Sequence, residues 1–163
     1  MKTQTVIFPC WLLAIILVLA GCGPASSTDE SVFRMSIKNE PPTLDWTLAT
    51  DSVSFTILTN IMEGLTQYDS ELNAKPAIAK SWEYSEDGLT ITFFLRNDVT
   101  WSDGKPVTAA DFEYSWKRLL APETAAQYAY FLFDIENASQ YNSGKITDPD
   151  KVGVRALAPD VLE

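Results

Sequence analysis

Ser81-Trp82-Glu83-Tyr84-Ser85-Glu86-Asp87-Gly88-Leu89-Thr90-Ile91-Thr92-Phe93-Phe94-Leu95-Arg96, followed by Val107-Thr108-Ala109-Ala110-Asp111-Phe112-Glu113-Tyr114-Ser115-Trp116-Lys117-Arg118, decides the fold class. In the first run Asp87-Gly88 separates an aromatic segment from an alternating one, the signature of a β-hairpin turn. Leu89, Ile91, Phe93 and Leu95 are expected to face the core, with Phe94 out of step. The second run opens a helix. Thr108 as N-cap and Asp111 three residues later form an acidic capping box, and Val107 with Phe112 forms a hydrophobic staple. Phe112, Trp116, Leu119 and Leu120 then stripe one face. Glu113 and Lys117 add an i,i+4 ion pair. A hairpin followed by an amphipathic helix predicts a mixed α/β (α+β) chain.

Working outward, residues 31–38 alternate Phe33, Met35 and Ile37 with polar neighbours and predict a first strand, which Pro41 and Pro42 end. From Thr50 the period lengthens. Val53, Ile57, Leu58 and Ile61 recur at helical spacing behind Thr50, Asp51 and Ser52, all good N-caps, and Gly64 is the expected stop. Leu65 to Tyr68 and Leu72 flank the turn Asp69-Ser70-Glu71, a short hairpin. Pro122 at a first helical position predicts a helix over 123–133. Residues 142–145 and 148–150 read as loops, 152–157 as a strand, 158–160 as a turn and 161–163 as a further strand.

Composition limits the chemistry. Among 163 residues, 22 Asp and Glu outnumber 12 Lys and Arg, for a net charge of −10, and there is no histidine. That balance argues against nucleic-acid binding, because phosphate neutralisation needs a basic surplus. The missing imidazole removes the commonest general base and metal ligand. The acids are dispersed over turns and exposed positions, Asp148-Pro149-Asp150 lacks the ligand run of a calcium loop, and no phosphate cradle is present. No metal, cofactor or catalytic residue is therefore expected. The tryptophans and tyrosines are numerous, and most are expected in or at the edge of the core. Tyr114 is the exception: two residues from both Phe112 and Trp116, it points away from the buried stripe with a phenol that can donate and accept.

The amino terminus carries an address. Residues 6–20 are an uncharged apolar run behind Lys2, too short for an ordinary membrane span, and they read as a signal h-region. Leu19-Ala20-Gly21-Cys22 resembles the bacterial lipobox, which implies cleavage after residue 21 and acylation of Cys22; an ordinary secretory signal that ends near a cysteine is the competing reading. Two acyl chains give firm anchoring where one gives reversible binding. Cys10 would leave with residues 1–21, so no disulfide is expected. Residues 22–30 are small and polar, a flexible tether.

Several stretches together carry a family resemblance: Glu40-Pro-Pro-Thr-Leu-Asp-Trp46, Glu63-Gly-Leu65, Ala79-Lys-Ser-Trp82, Asp87 to Arg96, and Val99-Thr-Trp-Ser-Asp-Gly-Lys-Pro-Val-Thr-Ala-Ala-Asp-Phe-Glu-Tyr-Ser-Trp-Lys-Arg118. The chain resembles the N-terminal part of the family 5 extracellular solute-binding proteins, with its oligopeptide branch favoured by Tyr114 to Leu120 and Ala121-Pro-Glu-Thr-Ala125. The resemblance covers residues 31–163. It implies a two-lobed type II periplasmic-binding-protein-like fold, residues 31–45 giving the first strand of one lobe and 46–163 mainly the small accessory lobe. It also implies a substrate-binding lipoprotein of an ABC importer that encloses short peptides by strand-like hydrogen bonds, leaves side chains in roomy pockets, and delivers them to a membrane permease. By position, Thr50, Asp51 and Ser52 match a loop whose backbone runs beside the ligand, and Tyr114 matches a peptide-contacting tyrosine. Helix capping is the competing reading of the loop. The expected state is a monomer, lipid-anchored to the outer face of the cytoplasmic membrane. Family members are several times longer, so the piece is expected to be incompetent alone. A peptide pheromone receptor of the same family and a small structural surface lipoprotein are the alternatives.

Overall fold

The computed structural model describes residues 34–163. The expectations for the signal, Cys22 and the tether fall outside those residues. Contacts divide the chain into Met1–Ser36 and Ile37–Glu163, and the second unit carries every element below.

Residues 34–38 form no strand, and Met35 and Ile37 are exposed. Alternation alone does not make a strand. The ladder needs a partner edge, and none of the described residues supplies one. Helix α1, Ser52–Ile61, follows the expected capping: Asp51 Oδ1 accepts from the amides of Val53 and Ser54 at 3.0 and 2.9 Å. Its buried face is Ser54 and Leu58, with Val53 and Ile57 half-buried and Ile61 exposed. The helix stops at Met62, whose backbone is extended, two residues before the expected glycine.

Strands β1, Thr66–Tyr68, and β2, Ala74–Pro76, form a two-stranded antiparallel hairpin. Its turn is longer than the sequence reading. Asp69 Oδ1 accepts from the amides of Glu71 and Asn73, and Leu72 sits exposed at φ 65° inside the turn.

Strands β3, Ala79–Tyr84, β4, Ile91–Leu95, β5, Ala156–Ala158, and β6, Val161–Leu162, form an antiparallel sheet in the order β3-β4-β6-β5. The hairpin between β3 and β4 turns as predicted, with Gly88 at φ 71°, a conformation open to glycine at no steric cost. Its core face is not uniform. Leu95 is fully buried and Phe93 packs against the core, whereas Ile91 is 37% and Leu89 85% exposed. β6 pairs with β4 only at Phe93 and Phe94, so the far end of the hairpin projects past its cover.

Helix α2, Ala109–Leu120, lies on β5 and β6 and buries Ala109, Leu119 and Leu120. Asp111 Oδ2 accepts from the Thr108 amide at 2.7 Å, the acidic half of the expected box. The Ala109 amide, one of the orphan donors of a helix start, donates to the Pro159 carbonyl at 2.8 Å and fixes the helix to the β5-β6 turn. The Val107 and Phe112 side chains both pack on the core.

The helix expected over 123–133 is not formed. Pro122–Thr124 is a 3-10 turn that ends at Ala125 with φ 50°, and a second 3-10 turn occupies Ala129–Leu132. Thr124 Oγ1 donates to the Arg118 carbonyl at 2.7 Å, so this segment closes α2 instead of opening a new helix. The predicted loop at 142–145 follows a short helix α3, Ala138–Asn142, and 148–150 overlaps a 3-10 turn, Pro149–Lys151. Val152 and Val154 are fully buried but precede the strand, which is confined to Ala156–Ala158. At Gly153 an added Cβ would lie 2.7 Å from Glu136 Cβ, a close approach that only glycine permits. The core joins Leu65, Ile78, Leu95, Leu120, Val152, Val154 and Leu162.

Candidate functional site

Residues 45–49 and 51–54 form two hydrogen-bonded turns on either side of Thr50. The Asp45 carbonyl accepts from the amides of Leu48 and Ala49, both at 3.0 Å, and Asp45 Oδ1 accepts from the Thr47 amide at 3.0 Å and from Thr47 Oγ1 at 2.7 Å. An aspartate that bonds to the backbone two residues on sets a local turn. Asp51 then takes over: its carboxylate accepts from Val53 and Ser54 amides and from Ser54 Oγ at 2.7 Å. The Ser54 hydroxyl and amide hold the Asp51 carboxyl below the usual carboxylate range. The Asp51 side chain is thereby engaged as a helix cap.

Helix α2 anchors the first of these turns from the other side. Arg118 forks onto Asp45, with Nη1 on Oδ1 at 2.9 Å and Nη2 on Oδ2 at 2.5 Å, and Nη1 also donates to Thr47 Oγ1 at 2.7 Å. A planar guanidinium matches both carboxylate oxygens at once, which an ammonium cannot do. Hydrogen bonding from Arg118 holds the Asp45 carboxyl far below its ordinary value, against the opposing effect of partial burial. One turn back, Ser115 Oγ accepts from Trp46 Nε1 at 3.0 Å. Beyond α2, Tyr128 Oη donates to the Thr50 carbonyl at 3.3 Å, and its ring stacks on Phe55.

Tyr114 is 70% exposed on α2, as its position in the helix predicts. With Lys117, Arg118, Glu123, Thr124 and Tyr141 it lines an open groove of about 400 Å³. Thr50 and Ser52 are exposed. Among the described residues no hydrogen bond joins Tyr114 to Thr50, Asp51 or Ser52, and the amides of Thr50 and Ser52 donate to no described partner. Arg118 is the link, since it borders the groove beside Tyr114 and holds the turn that leads into Thr50.

Trp46, Trp82, Trp116, Tyr128 and Tyr141 are buried or half-buried, in line with the expectation of aromatics in or at the edge of the core. Tyr68, Tyr84, Trp101 and Tyr130 are exposed along with Tyr114, and Tyr128, Tyr130 and Phe131 contact one another in a surface cluster. Arg118, Asp45, Trp46 and Ser115 escaped the sequence reading as a set. Asp45 and Arg118 are 73 residues apart, and no local spacing announces their pairing. The one available signal was Asp45 followed two residues on by Thr47 after a Pro-Pro stop.

On the helix side, Glu113 links secondary structures. Its Oε2 accepts from the Ala156 amide of β5 at 2.7 Å and its Oε1 from Lys117 Nζ at 2.6 Å, with Asp150 also on Lys117 at 3.0 Å. Burial raises the Glu113 pKa, but the Lys117 and Ala156 hydrogen bonds outweigh it and the net direction is down. Among the described residues no group of three or more acidic or cysteine side chains is placed to hold a metal ion.

The profile of the bacterial extracellular solute-binding proteins, family 5 (Middle), matches residues 73–163. A dipeptide-binding protein of Lactococcus lactis subsp. cremoris is 40% identical over 140 residues, 86% of this chain and 25% of the relative. The substrate-binding domain of an oligopeptide ABC transporter from Bacillus anthracis superposes with a TM-score of 0.75 at 44% identity, covering 78% of this chain and 24% of that one. Haemophilus influenzae OppA in complex with RPPGFSPFR gives a TM-score of 0.71 at 39% identity over 76% of this chain and 24% of that one. The chain spans about a quarter of the length of the relatives it matches.

Proposed function

The chain belongs to the bacterial extracellular solute-binding proteins of family 5, and from that membership we propose that the protein captures oligopeptides outside the cell and delivers them to an ABC permease. The observation that carries the reading is the shared fold with a receptor solved around a nonapeptide. An extended peptide is recognised by its main chain, which needs exposed donors and acceptors on a rigid support. The exposed residues Thr50 and Ser52 at the head of α1, whose amides donate to no described partner, and the exposed Tyr114 on α2 suit that need. Asp51 contributes backbone, because its carboxylate caps α1. Cargo is held and released in this reading, and no bond is made or broken.

The proposal includes the anchor. Cys22 carries the acyl chains, residues 22–30 tether the receptor to the outer face of the cytoplasmic membrane, and the receptor is a monomer. Incorporation of labelled palmitate that is abolished by Cys22→Ser tests the anchor.

Peptide capture is tested on the full-length encoded protein by tryptophan fluorescence with a pool of tri- to pentapeptides. A saturable change, weakened about tenfold by Tyr114→Ala, is expected, a loss corresponding to about 1.4 kcal/mol. A flat response would overturn the reading.

A further inference from the structure

We propose that Arg118 is a positioning residue for peptide capture: by clamping the Asp45 turn it sets where the Thr50-Asp51-Ser52 backbone stands relative to Tyr114. The inference rests on the peptide-capture reading above and adds the residue that makes its two halves one surface.

The geometry is specific. Tyr114, Ser115 and Arg118 lie within one turn of α2, so the same helical segment presents the groove tyrosine and both anchors of the loop. Ser115 takes the Trp46 indole at 3.0 Å, and Arg118 takes both carboxylate oxygens of Asp45 and the Thr47 hydroxyl. Thr47 is 2% exposed, and its hydroxyl donates to Asp45 while accepting from Arg118, so both of its roles are filled inside the clamp. The turn is then closed by the Asp45 carbonyl onto Leu48 and Ala49, directly ahead of Thr50. Tyr128 meets the Thr50 carbonyl from the far side. A shift of the guanidinium moves the turn, and the turn carries Thr50 with it.

Lysine in place of Arg118 keeps the charge but has no fork, so it releases the geometry without removing the cation. The test is a double-mutant cycle on the full-length encoded protein, with affinity for the tri- to pentapeptide pool and melting temperature both read for wild type, Arg118→Lys, Tyr114→Ala and the double variant. The expected result is that Arg118→Lys weakens binding about tenfold with little change in melting temperature. Tyr114→Ala then costs far less in the Arg118→Lys background than alone, because a misplaced loop already disengages the tyrosine's partner. Asp45→Asn, which keeps the shape and loses the charge, should reproduce the affinity loss. Unchanged affinity in Arg118→Lys, or losses that add in full, would overturn the positioning role while leaving peptide capture standing. Absence of binding by wild type would instead remove the reading on which the inference rests.

Discussion

Trp46 donates its indole N–H to Ser115 Oγ at 3.0 Å across 69 residues of sequence, tying the turn ahead of α1 to a half-buried position on α2. Ser115→Ala leaves that N–H without its partner. A neutral hydrogen bond of this kind contributes about 0.5–1.5 kcal/mol. The variant is expected to lower the unfolding free energy from urea titration by that amount and to change the tryptophan emission, and an unaltered spectrum with an unaltered midpoint would contradict the contact.

Glu113 substitutes for a strand partner. The Ala156 amide at the head of β5 donates to its Oε2, so Glu113→Ala strands a part-buried donor and leaves Lys117 with Asp150 alone. A buried unsatisfied group costs about 1–3 kcal/mol. Glu113→Gln keeps an acceptor and should cost less. Amide hydrogen exchange at Ala156, fast in the alanine variant and slow in wild type, checks the assignment directly.

Acid should weaken the fold through Asp45. In the unfolded chain this carboxyl titrates at about 3.9, while Arg118, followed by Thr47, keeps the folded one ionised to much lower pH. The unfolded state therefore binds more protons below about pH 5, and stability declines as pH falls through 4 towards 2. Asp45→Asn should be less stable than wild type at neutral pH and show a shallower decline in acid. Parallel melting curves from pH 7 to pH 3 would contradict this.

The two ends of one hairpin should respond differently. Leu95 is fully buried and Leu89 is 85% exposed. Leu95→Ala is expected to cost about 2–5 kcal/mol, and Leu89→Ala to stay within about 0.5 kcal/mol. Comparable losses at both positions would restore the uniform core face that the alternation suggested.

Legibility followed the range of the interactions. The hairpin turn at Gly88, the Asp51 cap, the Asp111 box and the Glu113 to Lys117 pair were readable because each is written in residues a few positions apart. Leu89 and residues 34–38 misled for one reason: periodicity states which face is apolar but not whether another element covers it. The segment after Pro122 misled because Thr124 turns back to the end of α2 and Ala125 adopts a left-handed backbone. Tyr114 could be placed on the exposed side of its helix from spacing alone. Arg118 and Asp45 could not be paired, since the contact depends on how α2 lies against the turn ahead of α1.

Isothermal titration of the full-length encoded protein with tri- to pentapeptides, against the same residues supplied as free amino acids, tests the central claim most directly. Peptide capture predicts saturable heat with the peptides and none with the amino acids. No heat from the peptides, or equal heat from both, would contradict it.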